Sequence, residues 1–231
     1  MGAPLRQVRM TPKAEDTRRR ILQAALELFQ ERGFAETTMR DIAQRASVAV
    51  GAAYYYFDSK EKLVMDFYAQ TQTDMQEASR ESLSGLSGLR ERLKAAIELK
   101  FDRLRPYRKV LGALFRSAAD PASPISPFGE ETREIREQSI QIFREALEGS
   151  DVRLPRDLRE HLQYLLWLYH MGLILLWIHD ASPDQARTER VMEKSLDLIA
   201  RAIKLSRFAL MAPIRRAALE LLRSFHDEPR A

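Results

Sequence analysis

Apolar residues recur at three- and four-residue spacing along most of this 231-residue chain, and this pattern restricts the fold more than any other feature. Ile21, Leu22, Ala25 and Phe29 are one example. Such spacing collects apolar side chains on one face of an α-helix. The sequence has no convincing alternating strand pattern, no internal repeat and no glycine-rich phosphate loop. We therefore predict an all-α protein.

Residues that start and stop helices divide this pattern into elements. Thr11 followed by Pro12 is typical of a helix start, and Gly33 of a helix end. Thr38 with Asp41 resembles a capping box, which starts a second helix. Further helices are predicted at 50–57, 59–82, 87–105, 106–119, 129–148, 156–179, 184–211 and 214–226, with a proline-rich loop at 120–129.

The amino-acid composition indicates where in the cell the protein works and which cysteine-based sites it can contain. The chain has no cysteine, which excludes disulfides and thiolate metal sites and fits a reducing cytoplasm. Its first residues are basic but lack the apolar run of a signal peptide. The most apolar segment, Tyr164–Ile178, is shorter than the roughly 20 residues of a bilayer span and contains His170. We predict a cytoplasmic protein without membrane contact, in which this segment is a buried helix.

Motifs of catalysis and metal binding are absent from the sequence. There is no G-x-S-x-G, no H-E-x-x-H and no E-x-x-H pair. His161, His170 and His179 are nine residues apart, too distant from each other along a helix to share a metal. We predict no enzyme, no metal and no cofactor. A helical enzyme and a protein-interaction module are the competing classes.

Residues 50–57, VGAAYYYF, place four aromatic rings side by side on the second helix of a helix-turn-helix candidate. At about 100° per residue, one buried face cannot hold all four rings. If Ala53 and Phe57 face inward, residues 54–56 face outward, and the small residues 50–52 allow close approach to a DNA groove. The alternative is that the tyrosines are half-buried against neighbouring helices.

A longer run, AALELFQERGFAETTMRDIAQRASVAVGAAYYYFDSKEKLV, carries a family resemblance. With its order of RGF, TTMRDIA, V-x-V-G-x-x-Y-x-Y-F and D-S-K-E-K-L, residues 11–68 resemble the DNA-binding domain of the tetracycline-repressor (TetR) family of bacterial transcription regulators. The resemblance implies a three-helix, homeodomain-like DNA-binding domain at 11–58 and a connecting helix at 59–83. A larger helical domain at 84–228 would bind an effector and dimerise.

The resemblance also implies roles for single residues. Thr38 would cap the second helix and offer its hydroxyl to a phosphate, Arg40 would reach a guanine edge or the backbone, and Lys60 would hold a phosphate at a helix N-terminus. The alternative for Arg40 is a surface ion pair with Glu36 or Asp41. The predicted DNA-binding residues are Thr38, Arg40, Val50, Gly51, Ala52, Tyr54, Tyr55, Tyr56 and Lys60.

The recognition helix departs from the family pattern at its start, and a basic run lies outside the matched motifs. Ala49 occupies the position where family members often have a serine that caps the recognition helix, and residues 50–52 offer bases almost no hydrogen-bonding side chain. Specificity would therefore depend on Arg40, on contacts with thymine methyl groups and on DNA shape. The basic run Arg18-Arg19-Arg20 and the basic residues before it could add phosphate or minor-groove contacts, and solvated charge is the alternative favoured for most of them.

Beyond about residue 85 the resemblance is one of architecture only. Aromatic side chains with a few polar tips are typical of a small-molecule pocket, although core packing explains each of them singly. The predicted ligand-binding residues are Phe67, Phe101, Tyr107, Phe115, Phe143, Trp167, His170 and Met171.

The last two long helices are the predicted dimer interface. The helix at 156–179 is apolar nearly all round, which requires burial on more than one side. With the following helix it would form half of an intermolecular four-helix bundle; the alternative is burial within one subunit. The predicted interface residues are Gly172, Leu176, Leu198, Ala202 and Leu205.

Together these predictions describe a homodimeric transcriptional repressor. It would bind a palindromic, double-stranded DNA operator and leave it when a small apolar or amphipathic effector enters the C-terminal domain. Activation of transcription, and regulation without a ligand, are the alternatives within the same family.

Overall fold

The computed structural model of the chain describes residues 11–206 and, beyond them, residues 208, 213, 216, 217 and 220. Residues 11–206 contain nine α-helices and no β-strand, which confirms the all-α prediction. The helices are α1 Pro12–Arg32, α2 Met39–Arg45, α3 Val50–Tyr56, α4 Lys60–Leu83, α5 Leu89–Leu104, α6 Arg108–Ala118, α7 Arg133–Glu148, α8 Arg156–Ile178 and α9 Ala186–Ser206.

One predicted helix start differs from the structure by four residues. The helix expected from residue 129 begins at Arg133, because the preceding residues form turns. Within them, the Thr132 hydroxyl donates to the carbonyl oxygen of Ser126 at 2.6 Å, and both residues are buried. The helix predicted at 214–226 lies outside the described residues, except for positions 216, 217 and 220, which are helical.

The described residues divide into two compact units. The first contains residues 11–69 and 109–132, and the second contains residues 70–108 and 133–206. The predicted functional boundaries, 11–58 and 84–228, concern which residues read DNA and which bind an effector, and they stay predictions.

The first unit is built on α1, which packs against α2, which in turn packs against α3. α1 begins as expected, with the Thr11 hydroxyl accepting from the Ala14 amide at 3.3 Å and with Pro12 in its first turn. It ends at Gly33, whose φ of 89° favours glycine. The most buried side chains of this unit include Ile21, Phe29, Ile42, Ala53 and Leu63.

In the second unit, α5 packs against α7 and α9, and α8 packs against α7 and α9. Two arginines, the buried Arg92 and the half-buried Arg108, connect the helix ends. The guanidinium of Arg92 donates to the carbonyl oxygens of Leu83, Leu86, Glu145 and Ala146. A Cβ atom at Gly149 would collide with this guanidinium, so the close approach requires glycine there. Arg108 donates to the carbonyl oxygens of Trp177, Ile178 and Asp180.

The apolar segment of α8 is long enough to be tested as a membrane span. His161–Ile178 has a mean hydropathy of 1.3, so by length and composition alone it could cross a bilayer. The core helix of a soluble protein passes the same test. Leu166, Trp167, Leu173 and Trp177 are buried in the second unit, and α8 packs against two other helices. This packing buries one side of the helix, whereas the sequence predicted burial on more than one side; Gly172 and Leu175 are exposed.

Candidate functional site

The helix-turn-helix candidate starts at a capping box. The Thr38 hydroxyl oxygen accepts from the Asp41 amide at 3.2 Å, and the Asp41 carboxylate accepts from the Thr38 hydroxyl at 2.6 Å and from its amide at 3.0 Å. The hydrogen bonds from the Thr38 side chain and backbone hold the pKa of Asp41 below its usual range. The predicted cap is therefore confirmed. Thr38 is exposed, and its contact with phosphate stays a prediction.

The turn between α2 and α3 is held from α1. Ser47 adopts a positive φ of 55°, and the Val48 amide donates to the Ala43 carbonyl at 3.0 Å. The Arg20 guanidinium donates to the Ala46 carbonyl at 2.7 Å and lies 3.4 Å from the Ser47 carbonyl oxygen. These bonds fix the direction in which α3 leaves the turn.

α3 has one buried face and one exposed aromatic face. Ala53 and Phe57 are buried, with exposed fractions of 0% and 4%, as predicted. Tyr54 is 49% exposed and Tyr55 83% exposed. Tyr56 is half-buried, and its ring stands edge-on to that of Tyr55 with the centroids 5.3 Å apart. Tyr55 thus faces solvent with most of its surface, Tyr54 with about half, and Tyr56 with less.

The first turn of α3 is small and open. Its N-cap, Ala49, makes no side-chain capping bond, as the sequence predicted. Val50 and Gly51 are exposed, and Ala52 is half-buried. A Cβ built on Gly51 meets no atom within 4 Å. A flat surface, such as the wall of a DNA groove, can therefore approach the backbone here.

Arg40 lies on the exposed side of α2. Among the described residues it makes neither a hydrogen bond nor an ion pair, so the alternative of a pair with Glu36 or Asp41 is not observed. The guanidinium that pairs with the Asp41 carboxylate is that of Arg32, at 3.8 Å. Arg40 is available to an external partner, and its DNA contact stays a prediction.

The Lys60 ammonium makes hydrogen bonds within the protein that the resemblance does not imply. Its ammonium donates to the carbonyl oxygens of Phe34, Ala35 and Thr37 at 2.8, 3.1 and 3.2 Å, and it lies 4.5 Å from the centroid of the Phe34 ring. An ammonium has three N–H donors, and all three are used here. Lys60 therefore connects the start of α4 to the segment between α1 and α2. A phosphate contact stays a prediction that requires one of these bonds to be exchanged.

The basic run on α1 makes ion pairs and hydrogen bonds within the first unit, although Arg19 and Arg20 remain exposed and Arg18 is half-buried. Arg18 forms an ion pair with Asp66 and lies 5.2 Å from the Phe57 ring centroid. Arg20 holds the turn described above. Arg19 pairs with Asp16 on the surface of the same helix.

The second unit contains a buried polar cluster between α5, α7 and α8. Lys100 is 1% exposed, and its ammonium donates to the Ser139 hydroxyl at 2.7 Å. The same ammonium lies 5.5 Å from the ring centroid of Phe143. The His170 ring lies 5.8 Å from the Phe143 ring and 5.9 Å from the Phe101 ring, centroid to centroid. These five residues are called the Lys100 cluster.

The two basic groups of the Lys100 cluster are strongly affected by burial. Loss of solvent lowers the pKa of Lys100 to about 7. Burial, and in second place the charge of Lys100, lowers the pKa of His170 well below its usual value. Among the described residues, neither Nδ1 nor Nε2 of His170 has a hydrogen-bond partner. The imidazole is therefore neutral, and its polar atoms are unsatisfied.

The remaining predicted ligand-binding residues are more dispersed. Phe67 and Phe115 belong to the first unit, whereas the other six belong to the second. Trp167 is buried, with its ring centroid 5.6 Å from that of Tyr164. Tyr107 and Met171 are half-buried. Of the predicted set, the structure brings Phe101, Phe143 and His170 together.

The predicted dimer residues lie at the surface of α8 and α9. Gly172 is exposed, and a Cβ built on it meets no atom within 4 Å; Leu176 is half-buried. On α9, Leu198 and Leu205 are 68% and 52% exposed, and Ala202 is exposed as well. The opposite side of α9 is buried through Met192, Leu196, Ala200 and Ile203.

Comparison with known proteins identifies the family. Residues 21–66 match the family described as "Bacterial regulatory proteins, tetR family". Residues 92–218, more than half of the chain, match "Tetracyclin repressor-like, C-terminal domain". The chain belongs to the TetR family. It is a DNA-binding transcriptional regulator with an N-terminal helix-turn-helix domain.

Relatives agree with this TetR assignment over most of their length. The chain is 29% identical over 211 residues to the probable HTH-type transcriptional regulator ArpR of Pseudomonas putida, covering 86% of this chain and 96% of ArpR. Identity to the HTH-type transcriptional regulator TtgR, also of Pseudomonas putida, is 28% over the same share of each chain.

Solved structures share the TetR fold at lower identity. A TetR-family regulator from Streptomyces coelicolor superposes with a TM-score of 0.63 at 20% identity, covering 93% of this chain and 90% of that chain. FadR of Bacillus subtilis superposes with a TM-score of 0.61 at 18% identity, covering 77% of this chain and 96% of that chain.

Sequence reasoning did not select Lys100, Ser139 or Trp177 of the TetR C-terminal domain. A signal for Lys100 was present: it follows Leu93 and Ile97 at helical spacing, so it falls on the apolar face of α5. Lys100, Leu93 and Ile97 are all buried. Lysine is seldom fully buried, so its residue type predicted an exposed side chain although its spacing predicted a buried one.

Proposed function

We propose that this TetR-family regulator is a homodimeric repressor of the cytoplasm that binds a palindromic operator through α3 and leaves it when an effector enters the C-terminal domain. The observation that carries the proposal is the exposed Tyr54 and Tyr55 pair beside the open first turn of α3. Exposed aromatic rings beside a backbone with small side chains mark an interaction surface, and this shape allows the helix to enter a DNA groove. Residues 11–58 would read DNA and residues 84–228 would bind effector and partner subunit.

Each proposed DNA contact uses a group that is exposed in the free protein. Tyr54 and Tyr55 would contact phosphates or thymine methyl groups, Gly51 would let the helix approach the groove, and Arg40 would read a base edge. Because residues 50–52 carry no hydrogen-bonding side chain, much of the selectivity would come from DNA shape. The operator should therefore contain sequence-dependent bending or groove-width features as well as contacted bases.

A mobility-shift titration against genomic fragments at several salt concentrations tests this function. A specific regulator retains selected fragments as salt rises, because base and shape contacts add to the phosphate contacts. Basic binding without sequence preference weakens equally for all fragments. Uniform loss of every fragment would contradict the proposal.

The dimer is supported by the second apolar side of α9. One side of this helix is buried in its own domain, yet Leu198 and Leu205 project into solvent on the other, and Gly172 is exposed on α8. A four-helix bundle formed with a second copy would bury these residues. The symmetry of such a dimer matches that of a palindromic operator.

Gly172→Ala separates the dimer from the alternative of a monomer. Alanine stabilises a helix by about 0.5–1 kcal/mol relative to glycine, and the structure has open space for its Cβ. A monomer would therefore only gain stability. If α8 packs closely against a second copy, we expect sedimentation equilibrium to show weaker dimerisation while the isolated subunit stays folded. Unchanged dimerisation would place Gly172 outside the interface, and a wild-type monomer would contradict the proposed assembly.

Effector binding is supported by the aromatic and polar make-up of the second unit. Phe101, Phe143 and His170 converge between α5, α7 and α8, and Trp167 and Met171 lie on the same helix as His170. Small-molecule sites combine apolar walls with a few polar groups in this way. FadR of Bacillus subtilis, which shares the fold, has been solved in complex with stearoyl-CoA. An amphipathic effector is therefore the expected class for this regulator.

A further inference from the structure

Lys100 differs from the buried Arg92 and the half-buried Arg108 of the second unit in what it binds. Arg92 donates to four backbone carbonyls and Arg108 to three, so both have a local structural role at helix ends. Lys100 is buried more completely than Arg92 and donates only to the neutral hydroxyl of Ser139. No carboxylate among the described residues pairs with it. A buried ammonium without an anion is costly to maintain.

His170 adds a second unsatisfied group at the same place. Both of its ring nitrogens are buried without a hydrogen-bond partner among the described residues. A buried polar group without a hydrogen-bond partner destabilises the folded state. The ammonium of Lys100 and the ring of His170 both lie within 6 Å of the Phe143 ring centroid. Polar groups from three helices thus lie around the Phe143 ring in an apolar interior.

The surroundings of this point are aromatic. The rings of Phe101 and Trp177 are 5.3 Å apart, centroid to centroid, and Phe101 also contacts His170. Another cation, Arg108, lies 5.7 Å from the Trp177 ring centroid, but its donors are used by carbonyls. A group with one negative charge and hydrogen-bond acceptors, attached to an apolar body, would therefore complement the Lys100 cluster.

We propose that the Lys100 cluster is the head-group end of the effector site and that it recognises a carboxylate carried on an apolar chain or ring. Lys100 would supply the charge, and Lys100, the Ser139 hydroxyl and one N–H of His170 would donate to the two carboxylate oxygens. Phe101, Phe143 and Trp177 would contact the apolar body. This inference rests on the proposed effector function and narrows its ligand class.

The count of donors favours a carboxylate over a phosphate. A carboxylate carries one charge and two oxygens, which match one ammonium and two neutral donors. A phosphate carries more charge and three acceptor oxygens, and such groups are usually bound by arginines or by backbone amides at helix N-termini. The free donors of the Lys100 cluster include no guanidinium and no backbone amide.

Three probes of equal chain length test the proposal on the full chain: decanoate, 1-decanol and decyltrimethylammonium, each below its aggregation threshold. The chain has two tryptophans, Trp167 and Trp177, both on α8, so their fluorescence reports binding near the cluster. We expect decanoate to bind at least about tenfold more tightly than decanol, since hydrogen bonds to a charged group exceed those to a neutral one. The cationic probe should bind most weakly.

Two variants and a control assign the preference to Lys100. Lys100→Met keeps the shape of the side chain and removes its charge, so decanoate should lose its advantage over decanol. Ser139→Ala should reduce the advantage by a smaller factor. Lys94→Met is the matched control on the same helix, because Lys94 pairs with Glu193 at the surface and should leave the preference unchanged. Thermal melts of all variants verify that each is folded.

The outcomes separate this inference from the proposed function. Equal decanoate binding by wild type and Lys100→Met, a preference for decanol, or no binding of any probe would overturn the carboxylate site. If decanoate binds as expected but leaves the protein on its operator, the site stands and release by this ligand class fails. If a neutral compound releases the operator while decanoate does not bind, the proposed function stands and the carboxylate site fails.

Discussion

The recognition helix α3 and the Lys100 cluster depart from ordinary protein surfaces and interiors in opposite ways. On α3, large aromatic rings stand in water, with Tyr55 83% exposed. In the cluster, a lysine and a histidine are buried without enough partners. By contrast, the buried Arg92 and the half-buried Arg108 both donate to carbonyl oxygens. In both places the mismatch between side chain and environment disappears if a partner binds, which is why the two regions carry the functional proposals.

The strongest test of this contrast removes, one at a time, the exposed Tyr54 ring of α3 and the buried Phe57 ring that follows α3. Phe57→Ala should lower the free energy of unfolding by about 3–5 kcal/mol, because this ring is 4% exposed. Tyr54→Ala should change the melting temperature little, because its ring is half in solvent, and should reduce operator affinity to that for random DNA. Urea unfolding and fluorescence anisotropy with labelled DNA measure the two effects. A large loss of stability in Tyr54→Ala would place that ring in the core.

A second comparison concerns the two kinds of buried cation. Arg92→Met removes the donors of four carbonyl oxygens and should lower the free energy of unfolding by at least about 3 kcal/mol. Lys100→Met should keep or raise stability, because a costly buried charge is removed. Arg90→Met, which removes partly exposed pairs with Glu193 and Asp197, should cost less than about 1 kcal/mol and serves as the control. A destabilised Lys100→Met would indicate that Lys100 is structural.

The pH dependence of stability gives a third, smaller effect. The pKa of Lys100 is about 7 in the folded protein, below its value in the unfolded chain, so the unfolded chain binds more protons between these two values. Stability contributed by this site should therefore rise with pH from about 7 upward, by up to about 1.4 kcal/mol per pH unit.

Urea titrations of wild type and Lys100→Met between about pH 7 and about pH 9 measure this difference. The wild type should gain stability relative to the variant as pH rises. His170 is the other basic group of the cluster, and its lowered pKa keeps it neutral throughout this range. Parallel curves for the two proteins would mean that Lys100 reaches solvent or an anion when folded.

The smallest predicted change in stability comes from Gly51→Ala on α3. The added methyl group meets no protein atom within 4 Å and should raise stability by about 0.5–1 kcal/mol. If the backbone lies against DNA at this position, the same methyl group should weaken operator binding. In that case thermal melts should show a higher melting temperature, and anisotropy titrations should show a lower affinity for the operator. Improved stability with unchanged affinity would show that DNA does not approach Gly51.

The first unit was largely predictable because its signals are local. The capping box of Thr38 and Asp41 uses residues three apart, and the inward positions of Ala53 and Phe57 follow from a single helical turn. Lys60 was less predictable, because its three carbonyl partners lie 23 or more residues away. The family resemblance implied a phosphate contact for Lys60, whereas in the structure its ammonium donates to carbonyl oxygens of the chain.

The Lys100 cluster was predicted in part, and the reason is again distance along the chain. Phe101, Phe143 and His170 were selected by residue type, yet their convergence depends on the packing of α5, α7 and α8. Ser139 meets Lys100 across 39 residues. The spacing of residues within one helix does not show which residues of another helix contact it. The contact between Lys100 and Ser139 could therefore be identified only in the structure.

The central claim is that two copies of α3 enter successive major grooves of one operator, and footprinting on a fragment retained at high salt tests it most directly. We expect two protected half-sites of inverted sequence, centred about one helical turn, or roughly 10–10.5 base pairs, apart or at a multiple of it. Both should be lost in Tyr54→Ala. A single protected segment, or two half-sites still protected by Tyr54→Ala, would contradict the account.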